Sequence, residues 1–497
     1  MARCRPTRIT AVLVKKKRPD RRPLASRHGA RRVSEKPATE EIATVTIDRI
    51  AKGGDGVGRA NGLVCFVPRT APGDVAQVAY VAHARHGRGR VLQIVTPSVH
   101  RVDARCLHYE RDRCGGCQLQ HLDDDAQRDA RRHIVQDALL RIGKRTIELP
   151  ELVAGESWGY RGRLTLMLLP RGRGWTGGLH PHDDAARVFN LEQCPIANPV
   201  LVQCWLDMRE RLHGMPTDRF LRVSFRLVSA DIGDETVAVV VQGGESWSGG
   251  AEWAAALLRA STPVRAVWWL PRGGEPVGLA GDVENDGAVT GLALPLETTA
   301  PGSTEALDEA SEAGRYEPDA REALAFAQVN PAVAFALRTF VHESVHSFAP
   351  RRVVDAYAGS GELTERFARD GAQVVSIEAD ASGSAATRQR VDAAGLGDRV
   401  QVITGLVESA LAAALPADVI VLNPPRAGVA TGVTALLEQG ASRGVRGIVY
   451  VSCDPATLAR DLARVPGWRI DAVRCFDMFP QTAHVETVCV LRPETTT

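Results

Sequence analysis

Short apolar runs alternate with helical stretches from Val353 onward, and no other feature of this chain restricts its fold as strongly. Five of these runs have the composition of buried strands: RVVDAYAG, QVVSIEAD, RVQVITG, DVIVLNPP and GIVYVSC. Strands that alternate with helices form parallel sheets covered by helices. We therefore predict a doubly wound α/β domain over residues 321–497. Two further runs, WRIDAVRCF and HVETVCVLR, have no helix between them and predict a final antiparallel hairpin.

The first of these strands leads into a glycine-rich turn typical of nucleoside-binding sites. Gly359 and Gly361 let a ligand approach the backbone, and a helix follows them directly. Thr364 occupies the position of the third glycine in a dinucleotide-binding turn. Glu378 ends the second strand, where a carboxylate accepts hydrogen bonds from ribose hydroxyls. Together these features predict a cofactor that carries a nucleoside; the alternative is a purely structural Glu378.

Three more motifs place reactive side chains at the carboxyl edge of the same sheet. Asn423 begins NPPR after the fourth strand, and Cys453 ends the fifth strand before a helix that begins at Pro455. The field at a helix N-terminus favours a thiolate, so we expect Cys453 to be reactive rather than an inert apolar residue. Glu486 lies among apolar neighbours at the start of a strand. We expect a raised pKa there, which suits a general base.

The residues before this domain predict a basic arm and two smaller domains. Residues 41–98 contain short strands, with KGGDGVGR as a glycine-rich turn, and predict an OB-like β-barrel that binds nucleic acid. Residues 99–320 predict an α+β central domain with a helix over 123–142 and an acidic linker over 294–320. Residues 1–40 are predicted to be a basic, disordered tail. Residues 1–36 hold 13 Lys or Arg and two acidic residues, which indicates either a phosphate-binding arm or a disordered tail without a specific partner.

The cysteines indicate a metal site and not a disulfide framework, because such frameworks belong to short secreted chains. Of the ten cysteines, Cys106, Cys114 and Cys117 are close in sequence, and Cys194 precedes a proline. Four thiolates bind either zinc or an iron–sulfur cluster, and the number of ligands does not decide between them.

Five sequence blocks, in this order, closely resemble the S-adenosylmethionine-dependent RNA 5-methyluridine methyltransferases: FAQVN at 326–330, VDAYAGSG, NPPRAG, YVSCDPATLARDL and DMFPQTAHVETV. Residues 41–97 are similar to the TRAM domain that many members carry. The four cysteines are similar to the [4Fe–4S] site of their central domain, so the resemblance favours iron–sulfur over zinc. It also implies that the α/β domain is a class I methyltransferase and that RNA is the partner.

The resemblance implies a role for each candidate residue. Cys453 would add to C6 of a uracil, C5 would take the methyl group of S-adenosylmethionine, and Glu486 would remove the C5 proton. The target base would leave its stack to reach this pocket. The residues implied to line the cofactor site are Gln328, Tyr357, Gly359, Gly361, Glu378 and Asn423.

Three positions depart from the family pattern and keep other functions open. Asn423 replaces an Asp, Leu406 stands where an Asp usually reaches the adenine amine, and Glu362 lies where a small or neutral residue is common. The alternatives are an RNA-binding relative without transferase activity and a tRNA uracil-C5 methyltransferase. The TRAM-like region favours 23S rRNA. A cytosine-C5 enzyme is disfavoured, because those enzymes place their thiols in different blocks.

Composition and length limit the setting in which the protein acts. Apolar residues make up 44% of the chain and charged residues 24%, as in soluble globular proteins. No apolar run approaches the ~18 residues of a membrane helix. We expect a cytoplasmic monomer.

Overall fold

The computed structural model describes residues 40–172, 174–229, 235–281 and 329–494. The basic arm up to residue 39, the acidic linker over 294–320 and the predicted cofactor residue Gln328 lie outside the described residues. Within the described ranges, no helix is both long and apolar enough to cross a membrane.

The N-terminal strands close into a barrel in the order β1-β2-β3-β5-β4. A Cβ on Gly58 would lie 2.2 Å from the carbonyl oxygen of Thr46, so glycine allows these two strands to pack closely. The glycine-rich turn predicted at KGGDGVGR is confined to the first half of this segment, because its second half forms β2. The strands are β1 (Glu40–Ile50), β2 (Gly56–Ala60), β3 (Leu63–Val67), β4 (Val75–Ala82) and β5 (Gly87–Thr96).

The central part of the chain contains a second sheet, in the order β13-β12-β11-β10-β7-β8-β9. Its strands are β7 (Arg163–Arg171), β8 (Gly174–Leu179), β9 (Phe189–Asn190), β10 (Leu221–Ser229), β11 (Thr236–Gln242), β12 (Val264–Leu270) and β13 (Val277–Gly281). The helices here are α1 (Leu107–Glu110), α2 (Asp124–Arg141), α3 (Pro199–Arg209) and α4 (Gly250–Ala260), with a 3-10 turn at Leu212–Gly214.

Helix α2 confirms the helix predicted over 123–142. The Asp123 side chain caps it by accepting a hydrogen bond from the Ala126 N–H at 2.7 Å. Two polar side chains, Gln127 and Arg131, are buried in this helix beside the apolar ones. The apolar spacing gave no sign of them.

The C-terminal sheet has the order β16-β15-β14-β17-β18-β20-β19-β6. β14 to β18 are parallel, and β20 lies antiparallel between β18 and β19, so the doubly wound fold and its final hairpin are confirmed. The strands are β14 (Arg352–Ala356), β15 (Gln373–Glu378), β16 (Val400–Thr404), β17 (Val419–Leu422), β18 (Gly447–Ser452), β19 (Trp468–Phe476) and β20 (Glu486–Pro493). The helices are α5 (Pro331–His346), α6 (Glu362–Arg369), α7 (Ala381–Ala393), α8 (Val407–Ala414), α9 (Thr431–Glu438) and α10 (Pro455–Leu462), with a 3-10 turn at Ala441–Arg443.

The three parts of the chain share buried surfaces. The short strand β6 (Glu151–Val153), which follows α2, pairs in parallel with β19 at the edge of the C-terminal sheet. On its other side, α2 packs into an apolar cluster with barrel and C-terminal residues: Ile50, Ala71, Leu119, Leu122, Ala130, Ile134 and Ala483. The barrel and the central part are thus packed directly against the loop that leads to β20.

Candidate functional site

The sheet register brings two of the predicted reactive residues together at the carboxyl edge. Ser452 at the end of β18 pairs with Thr487 of the antiparallel β20. Cys453 follows Ser452 and Glu486 precedes Thr487, so in this antiparallel pair both residues lie at the same end of the two strands. Asn423 follows the neighbouring strand β17 and is exposed at the same edge.

Glu486 has the electrostatic character predicted for it. Only 7% of the residue is exposed. Burial raises the pKa of its carboxyl to about 7, although the positive charge of Arg426 opposes the increase. The carboxyl therefore changes its charge close to neutral pH.

The thiol of Cys453 lies in a less favourable field than predicted. Burial raises the pKa of this half-buried thiol, the carboxyl of Glu486 raises it further, and Arg426 lowers it. Asp454 adds a further negative charge that raises the pKa. The pKa of Cys453 is thus raised by burial and by two carboxyl groups, contrary to the expectation that its position before a helix would favour the thiolate.

The segment that carries Cys453 is fixed by Asp454. One carboxylate oxygen of Asp454 accepts hydrogen bonds from the N–H groups of Ala456 and Thr457, both at 3.0 Å, and so caps α10. The same carboxylate binds the ammonium of Lys52, from the turn between β1 and β2, at 2.7 and 2.6 Å. Sequence reasoning missed this contact, since the two residues are 402 positions apart.

Helix α10 also holds the NPPR loop. The buried Asp461 accepts hydrogen bonds from the Val429 N–H at 3.0 Å and the Tyr450 hydroxyl at 2.9 Å. The Thr457 hydroxyl donates to the carbonyl of Arg426 at 3.1 Å. The helix that follows Cys453 thus fixes the backbone that carries Arg426.

The loop of residues 477–485, which leads into Glu486, is held by the central part of the chain. Gln481 is fully buried and has a left-handed φ of 69°. Its carbonyl accepts from the N–H groups of Gln118 and Leu119, both at 3.1 Å. Its backbone N–H and side chain form two hydrogen bonds with the amide of Gln127, both at 3.0 Å. These contacts hold a backbone conformation that is unusual for a side chain of this size.

A buried ion pair secures the same loop at its start. The Arg131 guanidinium lies 2.6 Å from the Asp477 carboxylate, and the two side chains are 1% and 3% exposed. Arg131 also donates to the carbonyl of Thr482 at 2.8 Å, and the Tyr160 hydroxyl donates to that of Pro480 at 2.9 Å. The base predicted at Glu486 is therefore supported by helix α2 and by Tyr160, which sequence reasoning did not identify.

The glycine turn combines open space with a fixed carboxylate, two features that the predicted nucleoside site needs. Gly359 and Gly361 have positive φ angles of 60° and 79°, and Gly361 caps α6. A Cβ on Gly359 would meet no other atom within 4 Å, so the turn faces open space. The Glu378 carboxylate accepts from the N–H groups of Gly359 at 2.9 Å and Asp380 at 2.7 Å, which fixes it beside the turn.

A buried hydrogen-bond chain explains why Thr364 replaces a third glycine. Its hydroxyl lies 2.6 Å from the carboxylate of Asp355 and 3.2 Å from the hydroxyl of Ser376. All three side chains are buried, and burial raises the pKa of Asp355 to about 6. Thr364 therefore joins α6 to β14 and β15 by hydrogen bonds, where a glycine would give only close packing.

The remaining predicted cofactor residue and two of the family departures lie around this turn. Tyr357 has a left-handed φ of 62°, and its hydroxyl donates to Glu408 at 3.3 Å. Leu406 is 60% exposed and precedes α8 without capping it. Glu362 lies 3.3 Å from the guanidinium of Arg338, so its charge is paired.

The four predicted metal ligands lie in one region of the central part. Cys106, Cys117 and Cys194 share one apolar cluster, and Cys194 also packs against the cluster that contains Cys114. Burial raises the pKa of Cys117 to about 12 and that of Cys114 to about 11. Among the described residues, no three or more His, Cys, Asp or Glu side chains form a group that could hold a metal ion.

Each of these four thiols nevertheless faces N–H donors, which suit a sulfur that carries negative charge. The buried Nε of Arg161 has no hydrogen-bond partner, and the charge of Arg161 lowers the pKa of both Cys117 and Cys194. The Gly116 N–H donates to the Cys114 sulfur at 3.4 Å. The other N–H groups that lower the pKa values of these thiols are the backbone groups of His108, Tyr109, Ile196 and Ala197 and the side chains of Gln120 and Gln193.

Comparisons with known families agree with this architecture. Residues 413–494 match the tRNA (Uracil-5-)-methyltransferase family, residues 40–79 match the TRAM domain, and residues 350–433 match the RNA cap guanine-N2 methyltransferase family. A solved tRNA (uracil-54, C5)-methyltransferase of Pyrococcus abyssi, in complex with S-adenosyl-L-homocysteine, has a similar fold. Its TM-score is 0.62 at 20% identity, over 90% of this chain and 100% of that one.

Similar sequences cover nearly the whole chain. The 23S rRNA (uracil(1939)-C(5))-methyltransferase RlmD of Thiobacillus denitrificans is 31% identical over 459 residues, which are 88% of this chain and 96% of that protein. The enzyme with the same name in Methylococcus capsulatus is 30% identical, over 92% of this chain and 98% of that protein. An RNA methyltransferase of Gloeobacter violaceus with no assigned target is 31% identical, over 91% and 96%. With a TRAM barrel, a methyltransferase sheet and full-length similarity of this degree, the chain belongs to the RNA uracil-C5 methyltransferase family.

Proposed function

We propose that the protein transfers a methyl group to C5 of a uridine in RNA through a covalent bond between Cys453 and the base. The observation that carries this proposal is the placement of Cys453 and Glu486 at the same end of the adjacent strands β18 and β20. The glycine turn follows β14 at the same edge of this sheet. One group is a nucleophile and the other is a carboxyl with a pKa of about 7. That pair supplies the two functions that C5 substitution of uracil requires.

The proposed reaction conserves atoms and charge at each step. The thiolate sulfur of Cys453 adds to C6, and the electron pair of the C5–C6 bond passes into an enolate. C5 then attacks the methyl carbon of S-adenosylmethionine, and the rest of that donor leaves as a thioether. Glu486 takes the proton from C5, the C5–C6 double bond forms again, and the C6–S bond breaks to release Cys453. Glu486 acts as a base only when it is ionised, so its pKa near neutrality suits this step.

S-adenosylmethionine supplies an electrophilic methyl group when it is bound. We propose that its adenosine lies against the glycine turn, with the Glu378 carboxylate at the ribose and with Tyr357 and Asn423 beside it. The open space in front of Gly359 and the fixed position of Glu378 support this placement. Gln328 belongs to the same proposed site, although it lies outside the described residues.

We propose 23S rRNA as the substrate. The support is the full-length similarity to two enzymes that act on uracil 1939 of 23S rRNA, together with the TRAM barrel. A tRNA substrate is the alternative, which the fold of the Pyrococcus enzyme keeps open.

We also propose that Cys106, Cys114, Cys117 and Cys194 hold a [4Fe–4S] cluster. Four cysteines in one region, three of them buried and each with N–H groups that lower the pKa of its thiol, support the binding of an anionic cluster. The cluster would hold the central part of the chain in shape, and the methyl transfer above uses no electron from it. Iron and acid-labile sulfide in anaerobically purified protein test the assignment: about four of each support it, and zinc alone overturns it.

The reaction itself is tested with labelled S-adenosylmethionine and total RNA from cells that lack 5-methyluridine. We expect label in 5-methyluridine of the large-subunit rRNA, and none with Cys453→Ala. Cys65→Ala is the matched control, because this thiol is buried in the barrel core and should not affect transfer. Label in tRNA would overturn the rRNA assignment, and full activity of Cys453→Ala would overturn the covalent mechanism.

A further inference from the structure

The turn between β1 and β2 brings a barrel side chain to the edge of the candidate active site. Lys52 in this turn binds both carboxylate oxygens of Asp454 at 2.7 and 2.6 Å. Asp454 is the residue next to Cys453 in the chain, and only 18% of its side chain is exposed. The barrel therefore contacts the segment that carries the thiol, through a charge-assisted pair of hydrogen bonds.

The backbone around Lys52 is held in place by its neighbours. The Ala51 N–H donates to the backbone carbonyl of Asp55, and the Gly54 N–H donates to that of Ala51, both at 2.8 Å. These two hydrogen bonds close the turn. Gly54 has a φ of 88°, and a Cβ there would lie 2.6 Å from the Cβ of Gln118 and 3.5 Å from that of Ala483. The turn is thus packed tightly against Gln118 and lies in van der Waals range of the loop of residues 477–485. The backbone of Lys52 is therefore held in a position from which its side chain reaches Asp454.

Lys52 adds a charged hydrogen-bond donor to a carboxylate that also caps helix α10. One oxygen of Asp454 caps α10 through the N–H groups of Ala456 and Thr457. Burial raises the pKa of Asp454, but the hydrogen bond from Lys52 and the bond from Thr457 more than offset it, so the pKa is below its usual value. Asp454 therefore remains negative beside Cys453, and Lys52 is the cation that compensates it.

We propose that Lys52 of the barrel is a positioning residue for Cys453, which fixes the strand–helix junction through Asp454 and neutralises that carboxylate beside the thiol. This inference rests on the proposed function only for the role of Cys453 as the nucleophile. It assigns the barrel a part in the chemistry, in addition to any contact with RNA.

The charges around the Cys453 thiol determine whether loss of Lys52 favours or disfavours the thiolate. Glu486 and Asp454 disfavour the thiolate, whereas Arg426 favours it. His484, on the neighbouring loop, is affected by the charges of Arg426, Asp454 and Lys52 and stays neutral near pH 7, since burial lowers its pKa. Loss of Lys52 leaves Asp454 uncompensated, so the thiolate becomes less favourable.

The test is the alkylation of Cys453 by iodoacetamide in the full-length protein without RNA or cofactor, followed from pH 6 to 10 by mass spectrometry of the peptide that contains it. Lys52→Met keeps most of the side-chain length and removes the charge. We expect alkylation to be about threefold slower below the midpoint of the profile, with the midpoint displaced to higher pH. Lys52→Arg keeps the charge and should retain the wild-type profile.

Arg90→Met is the matched control, because Arg90 pairs with Glu40 between two strands on the exposed surface of the barrel at 2.9 Å. This variant should leave the alkylation profile of Cys453 unchanged. In methyl transfer, Lys52→Met should lower kcat about threefold while KM for RNA stays within about twofold.

An alkylation profile of Lys52→Met equal to that of the wild type would overturn the proposal. If KM for RNA then rises and the salt dependence of binding weakens, Lys52 is a phosphate contact instead. Failure of the proposed function is distinguishable, because methyl transfer by Cys453→Ala would refute the covalent mechanism and leave the alkylation result intact.

Discussion

Replacement of Glu486 by Gln should stabilise the protein above pH 7 and prevent removal of the C5 proton. The carboxyl is buried, and its pKa rises from an ordinary value of 4.5 to about 7. Each pKa unit corresponds to about 1.4 kcal/mol, so the ionised form costs the folded state about 3 kcal/mol. Gln has nearly the same shape and carries no charge, so it avoids this cost.

The sign of the pH dependence follows from proton binding. The folded protein binds the Glu486 proton more tightly than the unfolded chain does. Its contribution to the free energy of unfolding is therefore fully present below pH 4.5 and is lost as the pH rises through about 7. The Gln variant should match the wild type below pH 4.5 and exceed it by up to about 3 kcal/mol above pH 7.

Activity should change in the opposite direction. A positioned general base contributes about 10²- to 10⁴-fold to proton transfer, and Gln cannot accept the C5 proton. The C6–S bond then cannot break, so a methylated protein–RNA adduct should accumulate through Cys453. Tritium release from RNA that contains 5-tritiated uridine measures the proton step, and denaturing gels detect the adduct.

The control is Glu343→Gln, an exposed carboxyl on α5. It should leave both the stability profile and tritium release unchanged. A Glu486→Gln variant that unfolds at the wild-type temperature at pH 8 would refute the burial argument. Tritium release at the wild-type rate would refute the role of Glu486 as the base.

Two further substitutions test the residues that hold the loop before Glu486, and one deletion tests the basic arm. Arg131→Met leaves the buried Asp477 carboxyl, whose pKa is already raised by burial, without its partner. Thermal unfolding at pH 7 should show a loss of up to about 3–5 kcal/mol, and the double variant Arg131→Met with Asp477→Leu should recover most of it. Gln127→Leu removes two hydrogen bonds to Gln481 and should cost about 2 kcal/mol in the same assay and slow tritium release more than RNA binding. Deletion of residues 1–36, which carry a net charge of +11, should flatten the salt dependence of RNA binding; an unchanged slope in titrations would exclude phosphate contacts by this arm.

The sequence was sufficient to predict the elements whose signals are local. The strand–helix alternation after Val353, the helix over 123–142 and the burial of Glu486 all follow from neighbouring residues, and the structure confirms them. The raised pKa of Glu486 was predictable because apolar residues flank it in the chain. The fold class follows from the same patterns.

Contacts between distant segments were not predictable in this way. The pKa of Cys453 depends on Glu486 of β20 and on Arg426 of the loop after β17, and the expectation from the local helix alone had the wrong sign. Lys52 reaches Asp454 across 402 positions, and Gln127 reaches Gln481 across 354. Periodicity describes which face of an element is buried, but it does not identify a polar partner on another element.

The two reactive groups are supported from opposite sides. The barrel holds the segment of Cys453 through Lys52, and helix α2 holds the loop before Glu486 through Gln127 and Arg131. The apolar cluster around Ala483 packs these two supports together. In the proposed mechanism, covalent addition and proton removal act on adjacent atoms of one ring, C6 and C5, so the two groups would have to keep a fixed separation. A shared core of barrel, α2 and the 477–485 loop provides that constraint, which a C-terminal sheet with free loops would lack.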